Sequence, residues 1–242
     1  MIRIFESGDE LSAAIADEML LHLRKDPRPV FCLASGSTPQ ASYAKFAALA
    51  KEEPRLSQLR IVSLDEWVGI ERTSEGSCYG MLDADLFSRL PIDPGAIAFF
   101  DGTSADLQRE CERIDSCIAH GPITFSLMGI GMNGHIGLNE PGLPVLDRSS
   151  VVRLSSTTRE VAQKYFDHPT ELDFGITLGL GQIAASKRVV VAAVGRKKAS
   201  IVRTILTRPE ADLPAQKLLG HSHIDFYLDA EAASELEANV TE

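Results

Sequence analysis

Apolar positions along the chain fall into two alternating rhythms. Short runs of apolar or small residues recur at 30–33, 59–64, 97–100, 123–127 and 188–194, each suited to one buried strand. Between them, apolar residues return every three or four positions. The clearest case is 7–25, where Leu11, Ile15, Met19 and Leu23 share one helical face. Ser7 and Glu10 have capping-box spacing, and Arg24 and Lys25 end the pattern before Pro27 and Pro29. Helical spacing also covers 41–51, 76–90 through Leu82, Leu86 and Leu90, 105–120, and 195 to about 206. A strand is predicted at 152–154, a short helix after 174–180, an edge strand at 222–228, and a terminal helix in the polar last dozen residues. Strands alternating with helices, with no linker or internal repeat, predict one α/β domain over 1–242. Its central sheet is expected to be mainly parallel and flanked by helices, in the Rossmann-like manner.

Composition narrows the function classes. A net charge of −10 argues against a general nucleic-acid surface while permitting a local basic pocket. The longest apolar run falls well short of the roughly 20 residues of a membrane span, and the N-terminus lacks a secretion-signal core. Cys32, Cys78, Cys111 and Cys117 show neither Cys-x-x-Cys nor zinc spacing, so reduced thiols in a cytoplasmic protein are expected. His221-x-His223 has no matching carboxylate set, and no metal site is expected.

The candidate chemistry sits in loops that follow predicted strands. After 123–127 the chain reads Met128-Gly-Ile-Gly-Met-Asn133-Gly134-His135-Ile-Gly-Leu-Asn-Glu140-Pro-Gly142. Glycine at this density permits sharp turns and close approach to a ligand, and the histidine is suited to moving protons. Glu140 could orient that imidazole if the loop folds back; the alternative is a glycine-rich turn with a structural histidine. After 30–33 comes Ser35-Gly36-Ser37-Thr38-Pro39 and a helix, a plausible phosphate cradle, although Thr38 could equally be a plain helix cap. Asp65 and Glu66 follow 59–64, beside Trp67. Paired carboxylates are commonly a solvated turn, but partial burial would raise one towards general-base range. Lys198 lies just after 188–194, well placed for an anion.

Gly131-x-Asn-Gly-His-Ile-Gly-x-Asn-Glu-Pro-Gly142 resembles the signature of the glucosamine-6-phosphate deaminase (isomerase) family, which shares a superfamily with the 6-phosphogluconolactonases. The resemblance extends over nearly the whole chain. It implies that the 35–38 turn holds the sugar phosphate, that Asp65 in Asp-Glu-Trp-Val is the enolising base, and that Glu66 supports it or touches the ligand. It implies that Lys198 in Gly-x-x-Lys-Ala binds the phosphate. Ungapped alignment of Thr158-Arg159 through Phe166 puts Lys164 where the family often has a phosphate-reaching arginine. Many members carry Asp at the position of Asn133, which can hydrogen-bond the histidine but cannot share its proton. Asn133, Gly134, His135 and Glu140 complete the implied site.

The implied reaction is isomerisation with deamination of a hexosamine 6-phosphate, needing no cofactor. Asp-Glu-Trp and 175–180 resemble the branch labelled galactosamine-6-phosphate isomerases, so the gluco or galacto substrate stays open. A phosphorylated amino sugar is the implied partner, with no nucleic acid or membrane and with homo-oligomerisation left open. Two alternatives are a phosphogluconolactonase-type hydrolase and a sugar-phosphate sensor. The hydrolase would use the same histidine without Asp65. The sensor needs a helix-turn-helix, for which the residues before 30 have room for one helix only.

Overall fold

The computed structural model describes residues 1–119 and 121–236. Seven parallel strands form the central sheet: β1 (Ile2–Phe5), β2 (Val30–Leu33), β3 (Arg60–Ser63), β5 (Ile97–Ala98), β6 (Phe125–Gly129), β9 (Val189–Ala193) and β10 (Ile224–Asp229). Their spatial order is β1-β10-β9-β6-β2-β3-β5. A second sheet of β4 (Asp65–Trp67), β7 (Ser150–Arg153) and β8 (Phe174–Thr177) is antiparallel, in the order β4-β8-β7.

Both faces of the central sheet are covered, so its inner strands β2, β6 and β9 are apolar or small throughout and successive residues feed two cores. In β2, Phe31 and Leu33 enter one core while Val30 and Cys32 enter the other. The first core takes the apolar stripes of α1 (Gly8–Lys25), α2 (Gln40–Ala50) and α3 (Cys78–Asp85). The second takes those of α4 (Leu107–Ala119), α6 (Leu180–Ala184) and α7 (Ala199–Thr207). Leu11, Ile15, Met19 and Leu23 of α1 are fully buried, each contributing roughly 1.5–3 kcal/mol of transfer free energy. Ser7 caps this helix by accepting from the Glu10 amide, and the Glu10 carboxylate accepts from the Glu6 amide.

The structure departs from the sequence pattern in several places. Residues 2–5 form an unpredicted edge strand, so β10 is an interior strand rather than an edge: it pairs with β1 on one side and β9 on the other. The single helix expected over 76–90 ends at Asp85 and gives way to a 3₁₀ turn at Phe87–Arg89. There the Ser88 hydroxyl and the Arg89 guanidinium satisfy the carbonyls of Asp83 and Ala84, which a continuing helix would have used. The terminal helix is not seen at 231–236, which form turns, and its remainder lies outside the described residues, as does His120. Among the described residues no helix is long and apolar enough to cross a membrane.

Candidate active site

The four strands that precede the candidate loops, β9, β6, β2 and β3, are neighbours in the sheet. From β2 the chain order runs outward one way through β3 and β5, and from β6 the other way through β9 and β10. The boundary between β2 and β6 is therefore a topological switch point, where α/β sheets open a crevice at their carboxyl ends. A cavity of about 150 Å³ lies there. Ser35, Ser37, Thr38, Asp65, His135, Lys164 and Lys198 all line it.

Asp65 reaches the cavity because the chain bends after β3 and re-enters as β4, not as the loop expected from sequence. Pairing of Asp65 with Thr177 and of Trp67 with Gly175 holds the backbone here. Side chains alternate along a strand, so Asp65 and Trp67 face the cavity and Glu66 faces away. Glu66 instead accepts from the Trp67, Cys78 and Tyr79 amides, at the N-terminus of α3. It supports the fold and does not line the cavity. Asp65 is 8% exposed. Burial and the adjacent Glu66 push its carboxyl up to about 7, against an opposing contact from the Cys78 thiol.

The glycine-rich loop folds back as its sequence suggested. Glu140 Oε2 lies 3.7 Å from His135 Nδ1. That is too long for a hydrogen bond; the Thr158 hydroxyl, 3.0 Å from Nδ1, makes the close contact. Asn133 donates from Nδ2 to Glu140 at 2.7 Å and to Ser155 at 3.0 Å, and its Oδ1 accepts from the His135 amide. Ser155 also gives its amide to Glu140 Oε1. Burial opposes ionisation of Glu140, but the imidazole, the Thr158 hydroxyl and the Asn133 amide outweigh it and hold the carboxyl down to about 2. The imidazole lies over Gly131, where a Cβ would sit 2.4 Å from the ring, so only glycine fits. Asn133 and Glu140 stand behind His135 rather than in the cavity wall. Gly134 is turned towards Leu213, with its carbonyl accepting from the Ala215 amide.

The cavity also holds the basic groups Lys164 and Lys198. Lys198, where the 3₁₀ turn 196–198 meets α7, extends Nζ to the Ile130 carbonyl at 2.5 Å. Burial, with the nearby positive charge of Lys164, lowers its ammonium to about 8. Among the described residues neither lysine has a carboxylate within ion-pair distance. Two neighbouring cations with no carboxylate in ion-pair distance among the described residues suit an anion. None of the backbone amides of 35–38 donates to a protein acceptor among the described residues. Gly36 holds a φ of +99°, and a Cβ there would lie 2.7 Å from the Tyr165 hydroxyl. The alternative reading of Thr38 as a plain helix cap fails, since α2 starts from Pro39 with no capping side chain.

The chain matches a known family. The sequence model of the family described as glucosamine-6-phosphate isomerases/6-phosphogluconolactonase covers residues 6–226. The chain belongs to that family. It is 32% identical to a glucosamine-6-phosphate deaminase of Bacillus pumilus over 95% of this chain and 97% of that one. A glucosamine-6-phosphate deaminase of Streptococcus uberis is 34% identical, over 96% of each chain. The solved structure of a monomeric glucosamine-6-phosphate deaminase superposes with a TM-score of 0.92 at 30% identity, covering 97% of this chain and 99% of that one. A 6-phosphogluconolactonase from Trypanosoma brucei shares the fold, with a TM-score of 0.77 at 24% identity and 98% of each chain covered.

At this candidate site, the sequence alone gives no role to Ser155, Thr158, Tyr165 or Cys78. Ser155 and Thr158 read locally as the start of α5 (Ser156–Ala162), which Ser155 does cap by accepting from the Thr158 amide. Cys78 looked like an ordinary residue of the first turn of α3. Only the tertiary fold brings these side chains to the loop and the cavity.

Proposed function

We propose that this chain converts glucosamine 6-phosphate and water to fructose 6-phosphate and ammonia. The reading rests on one observation above all: Asp65, a carboxyl raised to about 7, and His135 share a cavity with Lys164, Lys198 and the 35–38 turn. The identity to named glucosamine-6-phosphate deaminases over nearly the full chain supports the same reaction and favours the gluco substrate over the galacto one.

The 35–38 amides and hydroxyls, with Lys198 and Lys164, bind the phosphate. His135 transfers the proton that opens the pyranose ring. Asp65 takes the proton from carbon 2; the electron pair moves into the C1–C2 bond and oxygen 1 takes up a proton. Asp65 then returns its proton at carbon 1, leaving an iminium at carbon 2. Water adds there and ammonia departs, which leaves the ketose. Each positioned proton transfer contributes about 10²–10⁴-fold. A lactonase would have no task for a base of this kind beside carbon 2, so Asp65 favours the deaminase.

Ammonia release from purified protein given glucosamine 6-phosphate and galactosamine 6-phosphate in parallel tests this. Ammonia with the gluco substrate is expected. Release with the galacto substrate alone would reassign the sugar, and silence with both would overturn the reaction.

A further inference from the structure

We propose that Tyr165 is a phosphate-binding residue, whose hydroxyl reaches over the Gly36 turn and donates to the substrate phosphate while its ring carries the ammonium of Lys164. The proposal rests on the phosphate site assigned above.

Tyr165 belongs to the 3₁₀ turn Gln163–Tyr165 that follows α5, and it lines the same cavity as Ser35, Ser37, Thr38, Lys164 and Lys198. Its ring meets the turn oxygen first. A Cβ built on Gly36 would lie 2.7 Å from the Tyr165 hydroxyl, 3.4 Å from Cζ and 4.0 Å from Cε1. Both partners of this contact are held in place. Just before the turn, the Ala34 amide donates to the Leu127 carbonyl, and the Ala34 carbonyl accepts from the buried Tyr43 hydroxyl at 2.6 Å. On the other partner, Gln163 donates from Nε2 to the Arg159 and Thr170 carbonyls and accepts at Oε1 from the Thr170 amide. The Phe166 ring packs on Gly76, where a Cβ would lie 2.6 Å from it, and the Asp167 amide donates to Glu75. Tyr165 sits between these two anchors.

Among the described residues the Tyr165 hydroxyl makes no hydrogen bond, and neither do the hydroxyls of Ser37 and Thr38. A phenol hydroxyl is a donor as well as an acceptor. Three hydroxyls without protein partners thus share one cavity with two ammonium groups and with the 35–38 amides. What this set lacks is an acceptor, and phosphate oxygens supply it. Lys164 Nζ lies 4.7 Å from the centroid of the Tyr165 ring, within cation–π range, so the ring also keeps that charge at the cavity. Phenylalanine would pack on Gly36 and carry the lysine equally well. Only the hydroxyl requires tyrosine, and its bond to a phosphate is charge-assisted, hence stronger than one between neutral groups.

The test titrates inorganic phosphate into the full chain by calorimetry, without substrate, alongside steady-state kinetics on glucosamine 6-phosphate. Tyr165→Phe should weaken phosphate binding roughly tenfold and raise KM by a like factor, with kcat changed less than about threefold. Its melting temperature without phosphate should match wild type, since the lost hydroxyl makes no bond within the protein. Unchanged phosphate affinity in Tyr165→Phe, or a loss confined to kcat, would overturn the proposal. So would wild-type protein that takes up no phosphate. Phosphate binding is read without turnover, so a chain that releases no ammonia yet shows the Tyr165 effect refutes the proposed reaction and leaves this assignment standing.

Discussion

Asp65 and Glu66 are covalent neighbours whose carboxylates face opposite ways, one into the cavity and the other onto the amides of Cys78 and Tyr79. The two should therefore fail differently. Asp65→Asn should abolish turnover while leaving substrate affinity close to wild type, because the amide keeps the shape and loses the base. Glu66→Gln should cost stability first, since it exchanges charge-assisted bonds to three backbone amides for weaker ones. Near-normal turnover in Asp65→Asn would remove that residue as the enolising base.

The same burial makes Asp65 a liability to the fold. Its folded pKa, about 7, lies above its ordinary value of 3.8. Between those values the unfolded chain releases the proton while the native protein keeps it, so stability falls as pH rises and levels off beyond 7. Asp65→Asn removes this loss. Its melting temperature should exceed that of wild type by a margin that grows from pH 4 to pH 7. A margin constant across that range in thermal melts would contradict the burial argument.

Lys198 lies deeper than Lys164, with Nζ anchored on the Ile130 carbonyl. A charge-assisted bond to phosphate is worth about 1.5–3 kcal/mol, so Lys198→Ala should raise KM roughly 10–100-fold, far more than it lowers kcat. Lys164→Ala should have the same direction and a smaller size. Steady-state kinetics check both, and an unchanged KM in Lys198→Ala would put the phosphate elsewhere.

The acid and base limits of activity follow from these two groups. Asp65 must be ionised to take a proton, so kcat/KM should rise through about pH 7. Lys198 must be protonated to hold the phosphate, so kcat/KM should fall above about pH 8. The substrate phosphate titrates near 6, below the acid limb. A narrow bell is expected, and Lys198→Ala should lose its alkaline side. A flat profile from pH 6 to 9 would deny both assignments.

Much of this site was legible from the chain because each loop follows a buried strand, and parallel strands deliver their carboxyl ends to one edge. Asp65, His135 and Lys198 were reachable by that reasoning. The outward turn of Glu66 was not: alternation decides it only once 65–67 is known to be a strand, and three residues carry no visible period. Thr158 was hidden for another reason. A Ser-x-x-Thr start to a helix is fully explained by capping, so nothing local signals that the hydroxyl meets an imidazole 23 residues away in sequence. β1 escaped notice because its four residues expose Arg3 and Ile4 at a sheet edge, leaving little apolar pattern to read.

Asn133 offers the sharpest test of how the loop manages charge. Its amide donates to Glu140 across 2.7 Å and, after the imidazole and the Thr158 hydroxyl, helps hold that carboxyl low. Asn133→Asp would set two carboxylates at that separation, and both cannot stay charged, so one would hold a proton well above its ordinary range. A raised carboxyl pKa in the native state contributes stability that is lost as pH rises through it. The melting temperature of Asn133→Asp should thus fall increasingly below wild type between pH 5 and pH 8, and kcat should acquire a pH dependence that the amide protein lacks. If the deficit stays the same across that range, the new carboxylate has turned from Glu140 towards another donor, and the two carboxylates share no proton.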